Sequence, residues 1–156
     1  MRIGLIPGTE NDPSKRWPAD HWRALIEQLL IERKDAQLST FGTSRDVEIT
    51  QRVVEGFPPE RVQDLAGKTG LVEFAEALAG LDLLICNDTG GMHLANMLGT
   101  PVLVIFGPTN PVRTGPIFHA PAVLLQPEGC PPTGGMPIDQ VEPKRVAEEA
   151  MALLKP

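Results

Sequence analysis

Short apolar runs alternate along almost the whole chain with segments in which apolar residues recur every three or four positions. The apolar runs predict strands that are buried on both faces, and the recurring pattern predicts amphipathic helices. The predicted strands are residues 3–6, 36–41, 61–66, 83–86, 101–106 and 122–126. Because strands and helices that alternate in this way are joined by right-handed crossovers, the order predicts an α/β fold with a doubly wound parallel sheet.

The predicted helices lie between these strands and at the end of the sequence. Their inward-facing residues are Trp22, Leu25, Ile26, Leu29 and Leu30 in the first, Val47, Thr50, Val53 and Val54 in the second, Leu71, Phe74, Ala75 and Leu78 in the third, and Val146, Ala150, Leu153 and Leu154 in the last. Asp20 is expected to cap the first helix. A shorter helix, residues 93–98, is expected to end at Gly99, and residues 107–121 are expected to be irregular.

Composition excludes several functions. The 156 residues suffice for one domain with a buried core, and the formal net charge of −6 argues against a general nucleic-acid binder. Cys86 and Cys130 form no disulfide framework, and neither they nor His21, His93 and His119 have the spacing of metal ligands. No segment approaches the roughly 18 apolar residues of a membrane helix, and no signal-peptide pattern is present. A cytoplasmic protein fits best.

Three familiar motifs of nucleotide-binding and hydrolytic enzymes are missing from the sequence. No G-x-G-x-x-G follows the first predicted strand, which excludes the usual dinucleotide fingerprint. Gly67, Lys68 and Thr69 resemble the end of a phosphate-binding P-loop, but Val62 stands where that loop requires glycine. No G-x-S-x-G elbow is present, so the sequence gives no support to a serine nucleophile.

Residues 87–93, Asn-Asp-Thr-Gly-Gly-Met-His, predict an anion site, because they connect a strand to a helix. The free N–H groups and the positive end of a helix attract anions, and Gly90 and Gly91 leave room for a phosphate. Thr89 is expected to cap the helix through its hydroxyl. His93, one turn further on, is expected to donate a proton or a hydrogen bond to a phosphate oxygen. The alternative is a plain cap with glycines in a tight turn and a histidine that only packs.

Three charged residues near the ends of predicted strands have open roles. Asp88 would repel a phosphate, so it is expected to fix the backbone of the turn or to accept from a ligand hydroxyl. Lys15, on the loop after the first strand, is a candidate to neutralise a phosphate, the alternative being an exposed surface charge. Asp46, four residues after Gly42, is placed to accept from both ribose hydroxyls. It also fits a local capping box with Thr43.

Taken together, these segments resemble the family 9 glycosyltransferases, the heptosyltransferases of bacterial lipopolysaccharide synthesis. The matching segments are residues 6–8, 15–18, 41–42, 65–67, 87–95 and 106–111. Their order and spacing match over most of the chain. The resemblance implies a GT-B enzyme made of two Rossmann-like domains. Residues 1–156 would form its C-terminal, donor-binding domain, and the N-terminal acceptor domain would be absent from this chain.

The resemblance also implies a nucleotide-sugar site. Its members would be Thr9, Lys15, Asp46, Thr69, Asp88, Thr89, Gly90, Gly91 and His93. Lys15 would contact the donor phosphates, and Thr9 would lie close to them. Asp46 would hold the ribose, where relatives usually have the longer glutamate. Thr69 would meet the adenine through backbone groups, and residues 88–93 would form the diphosphate turn.

The activity implied is transfer of heptose from ADP-heptose to the lipopolysaccharide inner core, with inversion and without a bound metal or other cofactor. In this family the general base is a carboxylate of the N-terminal domain, so no catalytic residue is assigned here. Lys15 and His93 would stabilise the leaving group, and the isolated chain is expected to be inactive. The full-length enzyme would be cytoplasmic, at the inner face of the inner membrane. The alternatives are a stand-alone nucleotide-binding module and a donor domain for another nucleotide sugar.

Overall fold

The computed structural model describes residues 1–9 and 12–154. Within that part of the chain, six parallel strands form a sheet in the order β3-β2-β1-β4-β5-β6. The strands are β1 Arg2–Ile6, β2 Gln37–Thr40, β3 Val62–Asp64, β4 Leu83–Asn87, β5 Val102–Ile105 and β6 Ala122–Leu125. The predicted doubly wound parallel sheet is confirmed, because the strand order reverses between β1 and β4.

Helices cover both faces of the sheet. They are α1 Ala19–Glu32, α2 Val47–Val54, α3 Leu71–Ala79, α4 Gly90–Met97, α5 Pro111–Thr114 and α6 Pro143–Leu153. Single turns of 3-10 helix occur at Pro13–Lys15 and Ile138–Gln140. None of these helices is long and apolar enough to cross a membrane.

Successive residues of each central strand enter different cores. In β4, Leu83 and Ile85 pack into the core under α1, α2 and α6, whereas Leu84 and Cys86 pack into the core under α3 and α4. This alternation follows from the two-residue period of a strand, and it explains why the central strands are apolar at every position. The sheet is therefore a rigid base for the loops that follow its strands.

Three expectations about where helices begin or occur were wrong. Asp20 does not cap α1, because the helix begins at Ala19 and Pro18 occupies the N-cap. Helix α4 begins at Gly90, three residues earlier than expected, because the chain enters the helix directly after Thr89. Within the stretch expected to be irregular lies α5, whose four residues are too few to show a helical period. Asn110 caps it by accepting a hydrogen bond from the Val112 N–H.

Candidate functional site

A cleft of about 560 Å³ opens where the strand order reverses, at the carboxyl ends of the strands. The loops after β1, β2, β3 and β4 surround it, together with the first turns of α3 and α4. Ligands of doubly wound sheets bind at this topological position, and the volume lies in the range of small-molecule sites. The cleft is therefore the candidate functional site.

The structure brings most of the predicted site residues together. Those that line the cleft are Thr9, Asp46, Thr69, Thr89, Gly90 and Gly91. Lys15 and Asp88 form an ion pair with each other, and His93 is half-buried on α4; none of the three is part of the cleft lining. What each residue binds stays a prediction.

The start of α4 forms one side of the cleft. Thr89 is its N-cap, with an extended backbone, but the Thr89 side chain makes no capping hydrogen bond. The predicted hydroxyl cap is therefore wrong, since the side chain does not fold back over the first turn. The first N–H groups of a helix have no partner within the helix, so this end of α4 keeps donors for an anion.

Gly90 and Gly91 have different structural reasons to be glycine. A Cβ at Gly90 would meet no atom within 4 Å, so this residue presents bare backbone to open space. A Cβ at Gly91 would collide with the Ile6 side chain. Gly91 thus lets α4 approach β1, whereas Gly90 leaves the backbone at the start of α4 uncovered, where the anion site is predicted.

Asp46 is buried beside the loop after β1. Its Oδ2 accepts hydrogen bonds from the Thr43 N–H and the Thr43 hydroxyl, both at 2.8 Å. These bonds lie in the turn just before α2, whose N-cap is Asp46 itself and makes no side-chain capping bond, so the predicted capping box with Thr43 is wrong. The other oxygen, Oδ1, lies so close to Gly8 that the loop has no room for a side chain there. The bonds within the turn therefore use Oδ2, and the contact of Asp46 with a ribose stays a prediction.

The far end of the cleft is apolar. Phe74 and Leu71 line it beside Thr69, and the Phe74 ring packs against Phe41 with ring centroids 5.5 Å apart. Leu71 was predicted to face inward, yet it is 76% exposed. It lies in the first turn of α3, at the rim of the cleft, rather than over the core. A flat apolar group can rest on this wall.

Lys15 is held close to the cleft by a folded loop. Asp12 accepts hydrogen bonds from the Ser14 N–H at 2.9 Å and the Ser14 hydroxyl at 2.6 Å, and these bonds lower the pKa of Asp12. The Thr9 hydroxyl donates to the Asp12 carbonyl at 2.8 Å, and Arg16 Nη2 donates to the Thr9 carbonyl at 3.0 Å. The hydroxyl of Thr9 therefore shapes the loop that carries Lys15.

Lys15 is not the exposed surface charge of the alternative interpretation. Its Nζ lies 3.2 Å from Oδ2 of Asp88, whose side chain is 6% exposed. The Thr114 hydroxyl lies 3.2 Å from the same oxygen. Asp88 does not fix the backbone of its turn, because no backbone N–H of the described residues donates to it. The Asp88 carboxylate instead connects two other segments, because it contacts Lys15 of the loop after β1 and Thr114 of α5.

Asn87 is a structural residue of the site that sequence reasoning missed. It is fully buried, its Nδ2 donates to the Pro7 carbonyl at 2.7 Å, and its Oδ1 accepts from the Trp17 N–H at 3.3 Å. The signal available was an amide directly after the apolar run of β4, since a buried amide requires partners. Asn87 thereby fixes both ends of the loop that carries Thr9 and Lys15.

Cys86 takes no part in chemistry at the site. Burial raises the pKa of its thiol, and the negative charge of Asp88 raises it further, so the sulfur stays protonated and shielded from water. Among residues 1–9 and 12–154, no group of three or more histidine, cysteine or acidic side chains is arranged to hold a metal ion.

Comparison with known proteins gives consistent matches. The family model described as Glycosyltransferase family 9 (heptosyltransferase) matches residues 2–139. Lipopolysaccharide heptosyltransferase 2 of Escherichia coli K12 is 31% identical over 97% of this chain and 46% of its own length. Lipooligosaccharide heptosyltransferase 2 of Haemophilus influenzae is 33% identical over 81% of this chain and 37% of its own length. The chain thus spans less than half the length of these relatives.

Solved structures agree with the sequence relatives. The structure of E. coli ADP-heptose lps heptosyltransferase II superimposes with a TM-score of 0.86 at 32% identity, covering 98% of this chain and 46% of that one. The E. coli heptosyltransferase WaaC with ADP gives a TM-score of 0.80 at 25% identity, over 97% and 44% of the two chains. With the family model matching most of its length, the chain belongs to glycosyltransferase family 9, the heptosyltransferases.

Proposed function

We propose that this chain is the donor-binding domain of a heptosyltransferase and that its cleft binds ADP-heptose. The observation that carries the proposal is the side-chain-free start of α4 at Gly90, which opens into a cleft lined by Asp46. This arrangement offers donors for a diphosphate and an acceptor for sugar hydroxyls in one continuous space. The relatives solved with ADP and with ADP-2-deoxy-2-fluoro heptose support the same class of ligand.

The diphosphate is proposed to bind at the start of α4. Backbone N–H groups and the positive end of the helix attract it, and Lys15 supplies a full positive charge from the neighbouring loop. His93 is proposed to contact the same phosphates. Charge on the departing ADP grows as the bond to heptose breaks, so these groups act on the leaving group.

The nucleoside is proposed to extend from the diphosphate along the cleft. Asp46 Oδ1 would accept hydrogen bonds from the ribose hydroxyls while Thr43 keeps Oδ2 in place. The adenine would lie on the apolar wall made by Leu71 and Phe74, with the backbone at Thr69 contacting its edge. This order places each chemical part of ADP beside side chains of matching polarity.

The transfer itself needs a second group, which we place outside this chain. Inversion requires a base that takes the proton from the acceptor hydroxyl on the face opposite the leaving diphosphate. We propose that a separate acceptor domain supplies this base and binds the lipopolysaccharide core, and that no metal is required. We also propose that the full-length enzyme works at the cytoplasmic face of the inner membrane, where a lipid-anchored acceptor is available.

Calorimetric titration of the chain with ADP, UDP and GDP tests the proposal. ADP is expected to bind most tightly, and equal or tighter binding of UDP would overturn the assignment of the base. Lys15→Ala is expected to weaken ADP about tenfold and adenosine hardly at all, because only ADP carries the phosphates that the ammonium contacts. An equal loss for both ligands would remove Lys15 from the phosphate site.

A further inference from the structure

Lys15 and Thr114 meet at one oxygen of a buried carboxylate. The Lys15 ammonium and the Thr114 hydroxyl each lie 3.2 Å from Oδ2 of Asp88. Within the described residues, these are the polar partners of the Asp88 side chain. A carboxylate that is 6% exposed needs partners, because an unpaired buried charge is costly.

The short helix α5 holds Thr114 in place as a hydrogen-bond partner of Asp88. It ends α5, which is capped by Asn110 and anchored by the buried Pro111. The Thr114 hydroxyl lies 3.1 Å from the Asn110 carbonyl as well as 3.2 Å from Asp88. A hydroxyl carries one hydrogen, so it can direct that hydrogen to either acceptor. The side chain can therefore strengthen its bond to Asp88 without moving.

The proposed function creates a conflict at this oxygen. Lys15 neutralises the diphosphate only if its ammonium turns from Asp88 toward the phosphates. Asp88 then loses the counter-ion on Oδ2 while another negative group arrives nearby. A buried hydrogen-bond acceptor left without its partner is destabilising, and more so when it is charged.

We propose that Thr114 is a positioning residue that keeps Asp88 hydrogen-bonded when Lys15 turns to the diphosphate of the bound nucleotide. The inference rests on the proposed function, and it adds a residue that is not part of the cleft lining. In the free protein, Asp88 holds Lys15 close to the site. In the complex, the Thr114 hydroxyl continues to donate to the oxygen that the ammonium has left.

A double-mutant cycle tests this exchange. ADP and inorganic pyrophosphate are titrated into the wild type, Thr114→Val, Thr114→Ser, Asp88→Asn and the Asp88→Asn/Thr114→Val double variant. Thr114→Val is expected to weaken both ligands about tenfold, Thr114→Ser to retain wild-type affinity, and adenosine to bind all of them alike. In the Asp88→Asn background, Thr114→Val is expected to cost less than about twofold, because no carboxylate charge remains to be satisfied.

The matched control is Val112→Ala, on the same short helix but 80% exposed, which is expected to bind as the wild type does. A tenfold loss that persists in the Asp88→Asn background overturns the inference, as does unchanged affinity in Thr114→Val or a failure of Thr114→Ser to rescue. If Thr114→Val does not fold, Thr114→Ala takes its place. Absence of pyrophosphate binding by the wild type also overturns the inference. Pyrophosphate binding without a preference for ADP over UDP contradicts the proposed function alone.

Discussion

Gly90 and Gly91 are neighbours in the sequence, yet they meet opposite surroundings. Gly90 faces open space and Gly91 faces the Ile6 side chain. Replacing each glycine by alanine therefore separates the proposed binding role of Gly90 from the packing role of Gly91. This pair is the sharpest test of the anion site at the scale of single residues.

Gly90→Ala is expected to leave the free energy of unfolding unchanged or to raise it by up to about 1 kcal/mol, because alanine suits a helix better than glycine. The new methyl would stand in the proposed phosphate position, so ADP affinity is expected to fall about tenfold. Chemical denaturation and calorimetric titration measure the two quantities. Undiminished ADP affinity would contradict the assignment of the phosphate to the start of α4.

Gly91→Ala is the matched control for Gly90→Ala, because it adds the same methyl group at the neighbouring residue, where the surroundings are packed. Its methyl collides with buried Ile6, which must change conformation, so the free energy of unfolding is expected to fall by about 1–3 kcal/mol. A variant that lost no stability would show that α4 has room to move away from β1.

At the scale of elements, β4 carries a buried thiol between its apolar core and its polar end. Because burial raises the pKa of Cys86, the folded protein keeps this thiol protonated. The unfolded chain loses the proton near pH 8.5, so the thiolate stabilises the unfolded state as the pH rises. Below that pH the contribution of Cys86 to stability is fully present, and above it the contribution declines.

The free energy of unfolding is therefore expected to fall by about 2 kcal/mol more in the wild type than in Cys86→Ala between pH 8 and pH 10. Urea denaturation of both proteins at the two pH values measures how much the free energy of unfolding of each changes with pH. The cavity left by Cys86→Ala lowers the stability of that variant equally at both pH values, so it does not affect the comparison. Parallel slopes would contradict ionisation of Cys86 on unfolding.

The elements were more predictable than the site, for a physical reason. Each central strand is marked by a local apolar run, and the alternation of strands with helices predicts a doubly wound parallel sheet. The ion pair of Lys15 with Asp88, and the bond of Thr114 to the same carboxylate, join residues that lie far apart in the sequence. The spacing of apolar residues along the sequence does not reveal contacts between such distant residues. The sequence pattern placed Lys15 at the correct edge of the sheet without identifying its partner.

The connection between β4 and α4, formed by Asp88 and Thr89, shows the same limit among residues that are close in the sequence. Its place between a strand and a helix was predicted correctly, because residue types reveal where a strand gives way to a helix. The Thr89 hydroxyl does not cap α4, since the decisive factor is a side-chain rotation that the residue type leaves open. Asn87 was placed in the turn but given no role, because its partners Pro7 and Trp17 belong to another loop.

At the scale of the whole molecule, the proposal that the donor site and the base belong to different domains predicts that this chain binds the donor but does not transfer the sugar. The isolated chain is expected to bind ADP-heptose and to release no ADP from it in the presence of a lipopolysaccharide core acceptor, because the proposed base lies elsewhere. Calorimetry establishes the binding, and a coupled assay for ADP follows the transfer. Acceptor-dependent release of ADP above background would contradict the need for a second domain.

Trp17 has a consequence for how the protein is made. Its backbone N–H bonds to Asn87, 70 residues later, and its indole N–H donates to the Val141 carbonyl, 124 residues later, at 2.8 Å. During synthesis, the loop that carries Lys15 leaves the ribosome long before either partner does. This loop, which is synthesised early, therefore reaches its final position only after Asn87 and Val141 have been translated.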